Sequence, residues 1–342
     1  MENKVTIQDI ATIAGVSKST VSRYLNQGYV SQQKAEKIRR VIEETGFRSN
    51  FFAKRLKMKQ SKLIGIVLPR MASVTVGKLL AGINRMLEPE GYQGILLVSN
   101  LKKKKEIANI MNLQQQGVDG IIIDSIGITK RHLEIAKTMD IPLVFTGQQN
   151  PEVHYVKIND YGAGRMMGAY LRQMGHKQVV FAGVTETDHA VGIERKQGFI
   201  EAFQENNPEA RVDFVETGFD FFSAYEKGDE IRALQPTAVV CATDNIGLGV
   251  LRYFHERGIK VPEEISVAGF GGYDVGAVSY PALTTVAFDY ELVGMKTAQG
   301  MLELLADKPM QSNKDLPLLF IERESVRRLG EPFVPQMIRG ID

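Results

Sequence analysis

Residues 5–25 hold two short apolar patterns at helical spacing, with a glycine between them. The apolar positions of the first pattern share one helix face and are Ile7, Ile10, Ala11 and Ala14. Thr6 precedes this helix as its N-cap, and Asp9 is placed to complete a capping box. Gly15 ends the helix, and Ser17 caps a second one that runs to Leu25. Two short helices joined by a tight turn predict a helix-turn-helix.

The second helix carries hydrogen-bond donors on its outward face. Val21 points back toward the first helix, and the side chains on the opposite arc are Lys18, Ser19, Ser22 and Arg23. Ser31 starts a predicted third helix over residues 32–44, and Gly46 ends it. Donors on the second helix of such a bundle suit the major groove of DNA. A small bundle whose charges are only solvated is the alternative.

The charge distribution favours the nucleic-acid interpretation. Residues 1–62 contain 13 Lys and Arg against 5 Asp and Glu, a net charge of +8. The rest of the chain contains 29 against 35, a net charge of −6. A basic head on a mildly acidic body is typical of a protein that neutralises phosphates with one end only.

From Leu63 onward, apolar runs alternate with helical patterns, which predicts parallel sheets covered by helices on both faces. The predicted strands before residue 160 are 63–68, 95–98, 121–124, 143–146 and 156–158. Those after it are 179–182, 239–242 and 266–270. Two such series predict two lobes. The expected fold class is an all-α helix-turn-helix head plus an α/β two-lobed body with parallel, doubly wound sheets.

Length and composition narrow the class of protein further. A chain of 342 residues is long enough for two or three domains. The single cysteine, Cys241, fits a reducing cytosol. The first residues lack the apolar core of a signal peptide, and no run approaches the roughly 18 apolar residues of a membrane span. We therefore expect a soluble, cytoplasmic protein without membrane attachment.

No catalytic or metal-ligating constellation has a defensible spacing. The five histidines show no metal-ligand spacing. The run Gly162–Gly168 resembles a dinucleotide-binding loop, but Met167 stands where the third glycine is needed, so close helix packing explains the run better. We predict no cofactor, no metal and no enzyme activity. A nicotinamide-linked enzyme and an exported solute-binding protein are the disfavoured alternatives.

Motifs along nearly the whole chain resemble one protein family. In and just after the head they are AGVSKSTVSRYLN and NFFAKRLKMKQSKLIGIVLP, and in the body they include QGVDGIII, VKINDYGAGRMMG, ERKQGF, AVVCATDNIGLGVL and VPEEISVAGF. Together, over residues 5 to about 328, they make the chain similar to the lactose-repressor family of bacterial transcription regulators. The body of that family resembles periplasmic sugar-binding proteins. GFGGYD and PALTTVAFDY look most like the sucrose-operon repressor subgroup.

For the head, the resemblance implies a surface that reads DNA and a hinge that follows it. The implied base contacts are Lys18, Ser19 and Arg23, and the implied phosphate contacts are Thr20 and Ser22. Residues 50–58 would form a hinge helix whose Leu56 wedges into the minor groove of the operator. The remaining implied DNA contacts are Thr6, Asn26, Tyr29, Ala53 and Lys57. The family acts as homodimers on near-palindromic operators, so the protein would join the nucleoid when bound.

The patterns and the resemblance together predict domain boundaries. The head would span 1–48, the hinge and linker 49–61, the body 62–332 and a tail 333–342. Lobe 1 would comprise about 62–159 and 291–320, and lobe 2 about 160–289 and 322–332. The three crossings between lobes would lie near Asn159, Ala287–Tyr290 and Phe320–Glu322.

Ligands of open α/β sheets bind at the carboxyl ends of the strands, here facing the cleft between lobes. The predicted ligand-binding residues are Ala72, Ser73, Asp124, Gln148, Asp188, Arg195, Asp244, Asn245, Tyr273 and Asp274. The resemblance implies that Arg195 clamps ligand oxygens, and a surface cation on a helix is the alternative. For Asp244 the alternative is an N-cap of a helix that begins at Asn245.

One departure from the family concerns the end of a strand. Many sugar- and purine-responsive members carry an acidic residue two positions after Gly269, where this chain has Gly271. Either Tyr273 or Asp274 takes that role, or the ligand is held differently on that wall. The resemblance implies a sequence-specific repressor of a sugar-utilisation operon, released from its operator by sucrose or a related small sugar. The alternative is a co-repressor-dependent regulator of the same family, whose ligand strengthens DNA binding.

Overall fold

The chain divides after Ser61 into two units, a helical head and a larger body, and each is described by itself. The structure is a computed structural model that describes residues 5–25, 28–47, 60–71, 73–311 and 316–330. No helix in these described ranges combines the length and the apolar composition that a membrane crossing requires.

Local caps define the helices of the head, which are α1 (Ile7–Ala14), α2 (Lys18–Leu25) and α3 (Gln32–Thr45). Thr6 forms the predicted capping box: its hydroxyl accepts the Asp9 N–H at 3.3 Å, and its own N–H donates to Asp9 Oδ2 at 2.8 Å. Gly15 ends α1 in the left-handed region, which glycine adopts without strain. The core between the helices consists of Ile10, Ala11, Ala14, Val21, Ile38 and Val41. The predicted helix-turn-helix is confirmed.

The first sheet of the body is parallel throughout, with strand order β2-β1-β3-β4-β5. Its strands are β1 (Leu63–Leu68), β2 (Gln93–Val98), β3 (Gly120–Asp124), β4 (Leu143–Thr146) and β5 (His154–Val156). The helices that alternate with them are α4 (Val74–Leu87), α5 (Lys103–Gln115) and α6 (Lys130–Thr138). All residues of β1 are buried, because helices cover both faces of the sheet.

The second sheet has the order β11-β10-β9-β8-β6-β7. Its strands are β6 (Gln178–Gly183), β7 (Arg211–Glu216), β8 (Ala238–Cys241), β9 (Ser266–Gly271), β10 (Thr284–Phe288) and β11 (Leu318–Ile321). The helices of this part are α7 (Asp160–Gln173), α8 (Lys196–Gln204), α9 (Phe221–Glu226), α10 (Gly228–Ala233), α11 (Asp244–Glu256) and α12 (Asp274–Ala277). A π-helical turn, His189–Arg195, runs directly into α8. The last helix of the described residues, α13 (Tyr290–Leu305), packs along α4 on the first sheet.

Four details of the body differ from the sequence-based predictions, and the first is that β10 is absent from the predicted strands. β5 lies at His154–Val156 rather than at 156–158. The sequence pattern does not predict β7, because RVDFVE alternates polar and apolar residues as a half-exposed edge strand does. β11 pairs antiparallel with β10, so by Leu318 the chain already belongs to the second sheet. The predicted first-lobe range 291–320 therefore extends too far, because backbone hydrogen bonds hold Leu318–Phe320 against β10.

Glycines set the close approach of α7 to the segment that begins with the π-helical turn. A Cβ on Gly164 would lie 2.1 Å from the carbonyl oxygen of Arg195, and one on Gly168 would lie 2.4 Å from that of Phe199. Side chains at these positions would push the helices apart. The glycine run 162–168 thus serves helix packing, as predicted, and brings Arg195 against the start of α7.

Candidate functional site

A cavity of about 130 Å³ lies between the two lobes, where the carboxyl ends of both sheets meet. Since one water needs about 10–15 Å³ by this measure, the space holds roughly ten waters or one small organic molecule. Residues that follow β1, β3 and β4 form one wall, and residues that follow β6, β7, β8 and β9 form the other. Its polar lining residues are Arg70, Thr75, Asp124, Ser125, Thr146, Gln148, Asp160, Asp188, Arg195, Thr243, Tyr273 and Tyr290.

Arg195 ends the π-helical turn, and its side chain is buried at the cavity. Nε and Nη2 both donate to Oδ1 of Asp160, at 3.2 and 2.5 Å, and Nη1 donates to the carbonyl oxygen of Ala242. Burial alone would lower the pKa of Arg195, but the Asp160 carboxylate raises it above its ordinary value, so the guanidinium stays charged. With 3% of its surface exposed, Arg195 is not a surface cation.

Gln148 and Asp188 form a contact between the lobes. Gln148 Nε2 donates to Asp188 Oδ1 at 3.3 Å, and the same oxygen accepts the N–H of Val191 at 3.0 Å. Asp188 is thereby the N-cap of the π-helical turn. Burial raises the pKa of Asp188. A second contact between the lobes lies next to it: the His189 N–H donates to the carbonyl oxygen of Ile126 at 3.4 Å.

Asp124 ends β3 and lines the cavity together with Asp188. Burial, followed by the negative charge of Asp188, raises the pKa of Asp124 to about 7, although Arg70 opposes the shift. Among the described residues, no protein group donates a hydrogen bond to this carboxyl group. Asp124 is therefore an acceptor that a bound ligand can use.

Aromatic side chains complete the walls. The guanidinium carbon of Arg70 lies 3.9 Å from the ring centroid of Phe219, a cation–π contact between the two lobes. Burial raises the pKa of Tyr273 to about 12 and that of Tyr290 well above its ordinary value. Both phenols therefore stay neutral and can donate hydrogen bonds.

Half of the predicted ligand residues line the cavity, namely Asp124, Gln148, Asp188, Arg195 and Tyr273. Asp244 lies fully buried outside this lining, where it accepts the Thr285 hydroxyl and the Tyr273 N–H, both at 2.7 Å. Asp244 thus fixes the loop after β9 to β10 and is not itself part of the cavity lining. The alternative interpretation of Asp244 as an N-cap is wrong, because α11 begins at Asp244 and Thr243 supplies the cap.

The other predicted ligand residues that the structure describes do not line the cavity. The Ser73 hydroxyl lies 2.8 Å from that of Thr75, and Asn245 is half-buried in the first turn of α11. The Asp274 side chain is 90% exposed and lies 3.4 Å from Lys78 Nζ. Of the two candidates for the missing acidic residue, Tyr273 reaches the cavity and Asp274 does not. Ala72 lies outside the described residues.

The lining residues absent from the predicted set include Asp160, Tyr290 and Phe219. Asp160 and Tyr290 each begin a helix at a predicted crossing between lobes, so the rule that nominates strand ends does not reach them. The sequence signal that could have identified both residues is a helix N-cap at a crossing between lobes. Asn159 is the N-cap before Asp160, and Asp289 is the N-cap before Tyr290. Phe219 follows β7, one of the strands that the pattern missed.

In the head, the predicted base contacts Lys18, Ser19 and Arg23 are exposed on α2. The Ser17 hydroxyl accepts the Thr20 N–H at 3.2 Å and lies 2.8 and 2.7 Å from the hydroxyls of Ser19 and Thr20. This cap fixes the end of α2 that carries the predicted contacts.

The remaining predicted DNA contacts are placed differently. Ser22 is half-buried, and the Thr6 hydroxyl is engaged in the α1 capping box. Tyr29 is 89% exposed in the loop after α2. Asn26, Ala53, Leu56 and Lys57 lie outside the described residues, as does the predicted hinge helix 50–58.

Known proteins match both units. Residues 6–50 match the bacterial regulatory proteins of the lacI family, and residues 169–326 match the periplasmic binding protein-like domain. The sucrose operon repressor of Staphylococcus xylosus is 36% identical over 292 residues, which cover 84% of this chain and 90% of that protein. The chain belongs to the lacI family of bacterial regulatory proteins. It is a regulator of this family and not an enzyme.

Solved structures share the fold. A lac repressor dimer bound to operator and an anti-inducer has a TM-score of 0.85 and 24% identity, covering 95% of this chain and 100% of that one. The transcriptional regulator CelR in complex with cellobiose has a TM-score of 0.68 and 25% identity, covering 94% and 99%. The helix-turn-helix head followed by a two-lobed α/β body is thus the architecture of lac repressor.

Proposed function

We propose that the protein represses a sugar-utilisation operon and leaves its operator when a small sugar, sucrose or a close relative, binds between the lobes. The observation that carries this proposal is the polar cavity at the strand ends, in a chain whose head is a helix-turn-helix. The 36% identical relative is a sucrose operon repressor, which supports the choice of sugar.

The head supplies the DNA-binding surface in this proposal. Lys18, Ser19 and Arg23 contact base edges in the major groove. The capped start of α2 lies close to the phosphates beside the groove. Thr20 and Ser22 contact phosphate, and Tyr29 and Thr6 lie at the rim of the same surface. The positive charge of residues 1–62 adds affinity that does not depend on sequence.

The cavity supplies the sensor. A sugar carries hydroxyl groups that both donate and accept hydrogen bonds, and its carbon-bound hydrogens form apolar patches. The carboxyl groups of Asp124 and Asp188 accept from such hydroxyls, the Tyr273 and Tyr290 phenols donate to them, and Phe219 offers a flat apolar surface.

Ligand binding reaches the DNA through the arrangement of the lobes. Several weak contacts join the lobes at the cavity, among them Gln148–Asp188 and Arg70–Phe219. A ligand that favours another arrangement by a few kcal/mol shifts this equilibrium. The predicted hinge, residues 50–58, then loses the partner against which it folds. If Leu56→Gly left operator affinity unchanged, this part of the proposal would be wrong.

The first lobe holds the point where the hinge enters the body. The Lys62 N–H donates to Asp119 Oδ2 at 2.8 Å, and its Nζ lies 4.1 Å from the Tyr92 ring centroid. Gln93 N–H donates to the Lys62 carbonyl oxygen at 2.9 Å. With Lys62 fixed in this way, any rotation of lobe 1 displaces the chain just before it.

A homodimer completes the proposal, because one small helix-turn-helix needs a second half-site to gain affinity. Val278 and Tyr280, which are 82% and 91% exposed, are apolar or aromatic groups that a second copy would cover. Sedimentation of the purified protein at micromolar concentration should give the mass of a dimer. A monomer at all concentrations would contradict this element.

Operator binding by the full-length protein tests the proposed function. Fluorescence anisotropy with DNA from upstream of its own and neighbouring genes should show specific binding that falls as sucrose or fructose is added. Tighter binding on adding the sugar would turn the assignment into a co-repressor system. Absence of specific binding at every salt concentration would overturn it.

A further inference from the structure

The loop that follows β3 forms part of the cavity wall and also contacts the other lobe. Asp124, Ser125 and Ile126 all line the cavity. The carbonyl oxygen of Ile126 accepts the N–H of His189 from the second lobe at 3.4 Å. The position of this loop therefore affects both the shape of the cavity and the fit between the lobes.

The Ser125 hydroxyl joins this loop to a buried carboxyl group. Its Oγ donates to Glu106 Oε1 at 2.9 Å and accepts the N–H of Gly127 at 3.2 Å. The serine and the glutamate are both buried, with 3% and 2% of their surfaces exposed. A buried hydroxyl that loses its acceptor is costly, so this hydrogen bond holds the turn from Ser125 to Gly127 against α5, the helix that contains Glu106.

His132 keeps the Glu106 side chain in place. It lies in the first turn of α6, where its Nδ1 accepts the N–H of the N-cap residue Thr129 at 3.0 Å. A backbone N–H can only donate, so Nδ1 carries no proton and the neutral ring has its proton on Nε2. That nitrogen lies 2.9 Å from Glu106 Oε1. The fully buried ring also packs edge-on against Phe145 of β4, which leaves the carboxyl group little freedom to move.

The order of these groups differs from that of a catalytic serine site. There the histidine takes the proton of the serine hydroxyl directly. Here Glu106 lies between Ser125 and His132, and both contact the same carboxylate oxygen. The cluster therefore serves to hold the hydroxyl in one place.

We infer that Glu106 is a positioning residue of the sensor: held by His132, it fixes the Ser125 hydroxyl and with it the loop that lines the cavity and contacts the second lobe. This inference rests on the proposed function, because it assigns residues behind the lining to the same site. Side chains in such a second layer determine how tightly the groups that touch a ligand are held.

Calorimetric titration of the full-length protein with sucrose and with fructose, without DNA, tests the inference. Glu106→Met removes the acceptor of the Ser125 hydroxyl at a similar side-chain length, and should weaken sugar binding by roughly fivefold or more. Glu106→Gln keeps an acceptor oxygen and should bind the sugar within about twofold of the natural protein. Unchanged affinity in Glu106→Met would overturn the inference, and so would equal losses in the two variants.

A double-mutant cycle shows whether Glu106 acts through the hydroxyl. Ser125→Ala removes the hydroxyl and should weaken sugar binding as well. In the double variant Glu106→Met/Ser125→Ala, the loss should be close to that of the larger single variant, because the second substitution has no hydrogen bond left to break. Losses that multiply would overturn the inference. If Glu106→Met does not fold, His132→Leu, which removes the partner of Glu106, replaces it in the cycle.

A control variant separates positioning from a general loss of stability. Ile110 is fully buried in the core of the first lobe, on the same helix as Glu106. Ile110→Val should lower the midpoint of urea unfolding yet keep the sugar affinity within about twofold. If Ile110→Val weakened sugar binding as much as Glu106→Met, loosening of the lobe would explain both results, and the inference would be overturned.

The outcome is separable from that of the proposed function. A protein whose sugar affinity depends on Glu106 in this way, but whose operator affinity never changes with sugar, would refute the proposed function alone. One that leaves its operator on adding sugar, while Glu106→Met responds at the same sugar concentration, would refute the inference alone.

Discussion

The guanidinium of Arg195 and the carboxylate of Asp160 meet at the cavity as a buried ion pair, with Nη2 2.5 Å from Oδ1. The two residues come from different elements: Arg195 ends a π-helical turn, and Asp160 begins α7. Gly164 permits this meeting, because its missing side chain lets α7 approach the Arg195 backbone. Helix packing and the candidate sensor are therefore built from the same residues.

Removing one member of this pair should be more damaging than removing both. Arg195→Met leaves Asp160 buried without its partner, which should lower the free energy of unfolding by about 3–5 kcal/mol. The double variant Arg195→Met/Asp160→Asn removes both charges and should regain a large part of that loss. Urea unfolding of the two single variants and the double variant measures the coupling. Additive losses would show that the pair does not act as a unit.

Gly164→Ala should destabilise the body by separating α7 from the π-helical turn. The new Cβ would lie 2.1 Å from the Arg195 carbonyl oxygen, and overpacking of this kind costs about 1–3 kcal/mol or more. Gly77→Ala is the matched control, since Gly77 is exposed within α4 and has open space around its Cβ position. There alanine should stabilise by up to about 1 kcal/mol. Thermal unfolding should thus shift in opposite directions for the two substitutions.

The raised pKa of Asp124 predicts how stability depends on pH. Because the folded protein holds this proton up to a pKa of about 7 and an unfolded aspartate releases it near pH 4, stability should fall as pH rises from 4 to 7. Asp124→Asn removes this dependence. At pH 8 the substitution should raise the free energy of unfolding by on the order of 2 kcal/mol and with it the melting temperature, whereas at pH 4 it should have little effect on either. An equal shift at both pH values would exclude this origin.

Lys18 should contribute to operator recognition through the bases. Lys18→Ala should weaken binding to the operator by about 1–3 kcal/mol and binding to scrambled DNA by less. Lys130→Ala, which removes an exposed cation from the body, should leave both affinities unchanged. Anisotropy with the two DNA duplexes measures the ratio. Equal weakening on operator and scrambled DNA would assign Lys18 to phosphate contact instead.

The sequence predicted those features whose causes are local or periodic. Thr6, Asp9 and Gly15 define α1 through caps that need no distant partner. The continuous apolar runs predicted the buried strands, because parallel sheets covered on both faces leave no polar side. The amphipathic β7 was missed, since it has no such run, whereas β11 was missed although its four residues are all apolar.

The site was harder to predict because it depends on contacts between distant segments. Asp124, Gln148 and Asp188 follow from the strand-end rule. Asp160 was missed, because its place at the cavity depends on the meeting of α7 with the π-helical turn. Asp244 was included although the fold buries it beside Thr285. Sequence position alone does not tell a carboxylate on a cavity wall from one that holds a loop.

Operator release by Arg195→Lys tests the central claim most directly, namely that the inter-lobe cavity controls the DNA affinity of the head. Lysine keeps the charge beside Asp160 but loses the planar fork that spans Asp160 and Ala242. In the anisotropy assay, the variant should bind operator within about twofold of the natural protein, whereas the sugar concentration for half-release should rise roughly tenfold or more. Release at an unchanged sugar concentration would contradict the account.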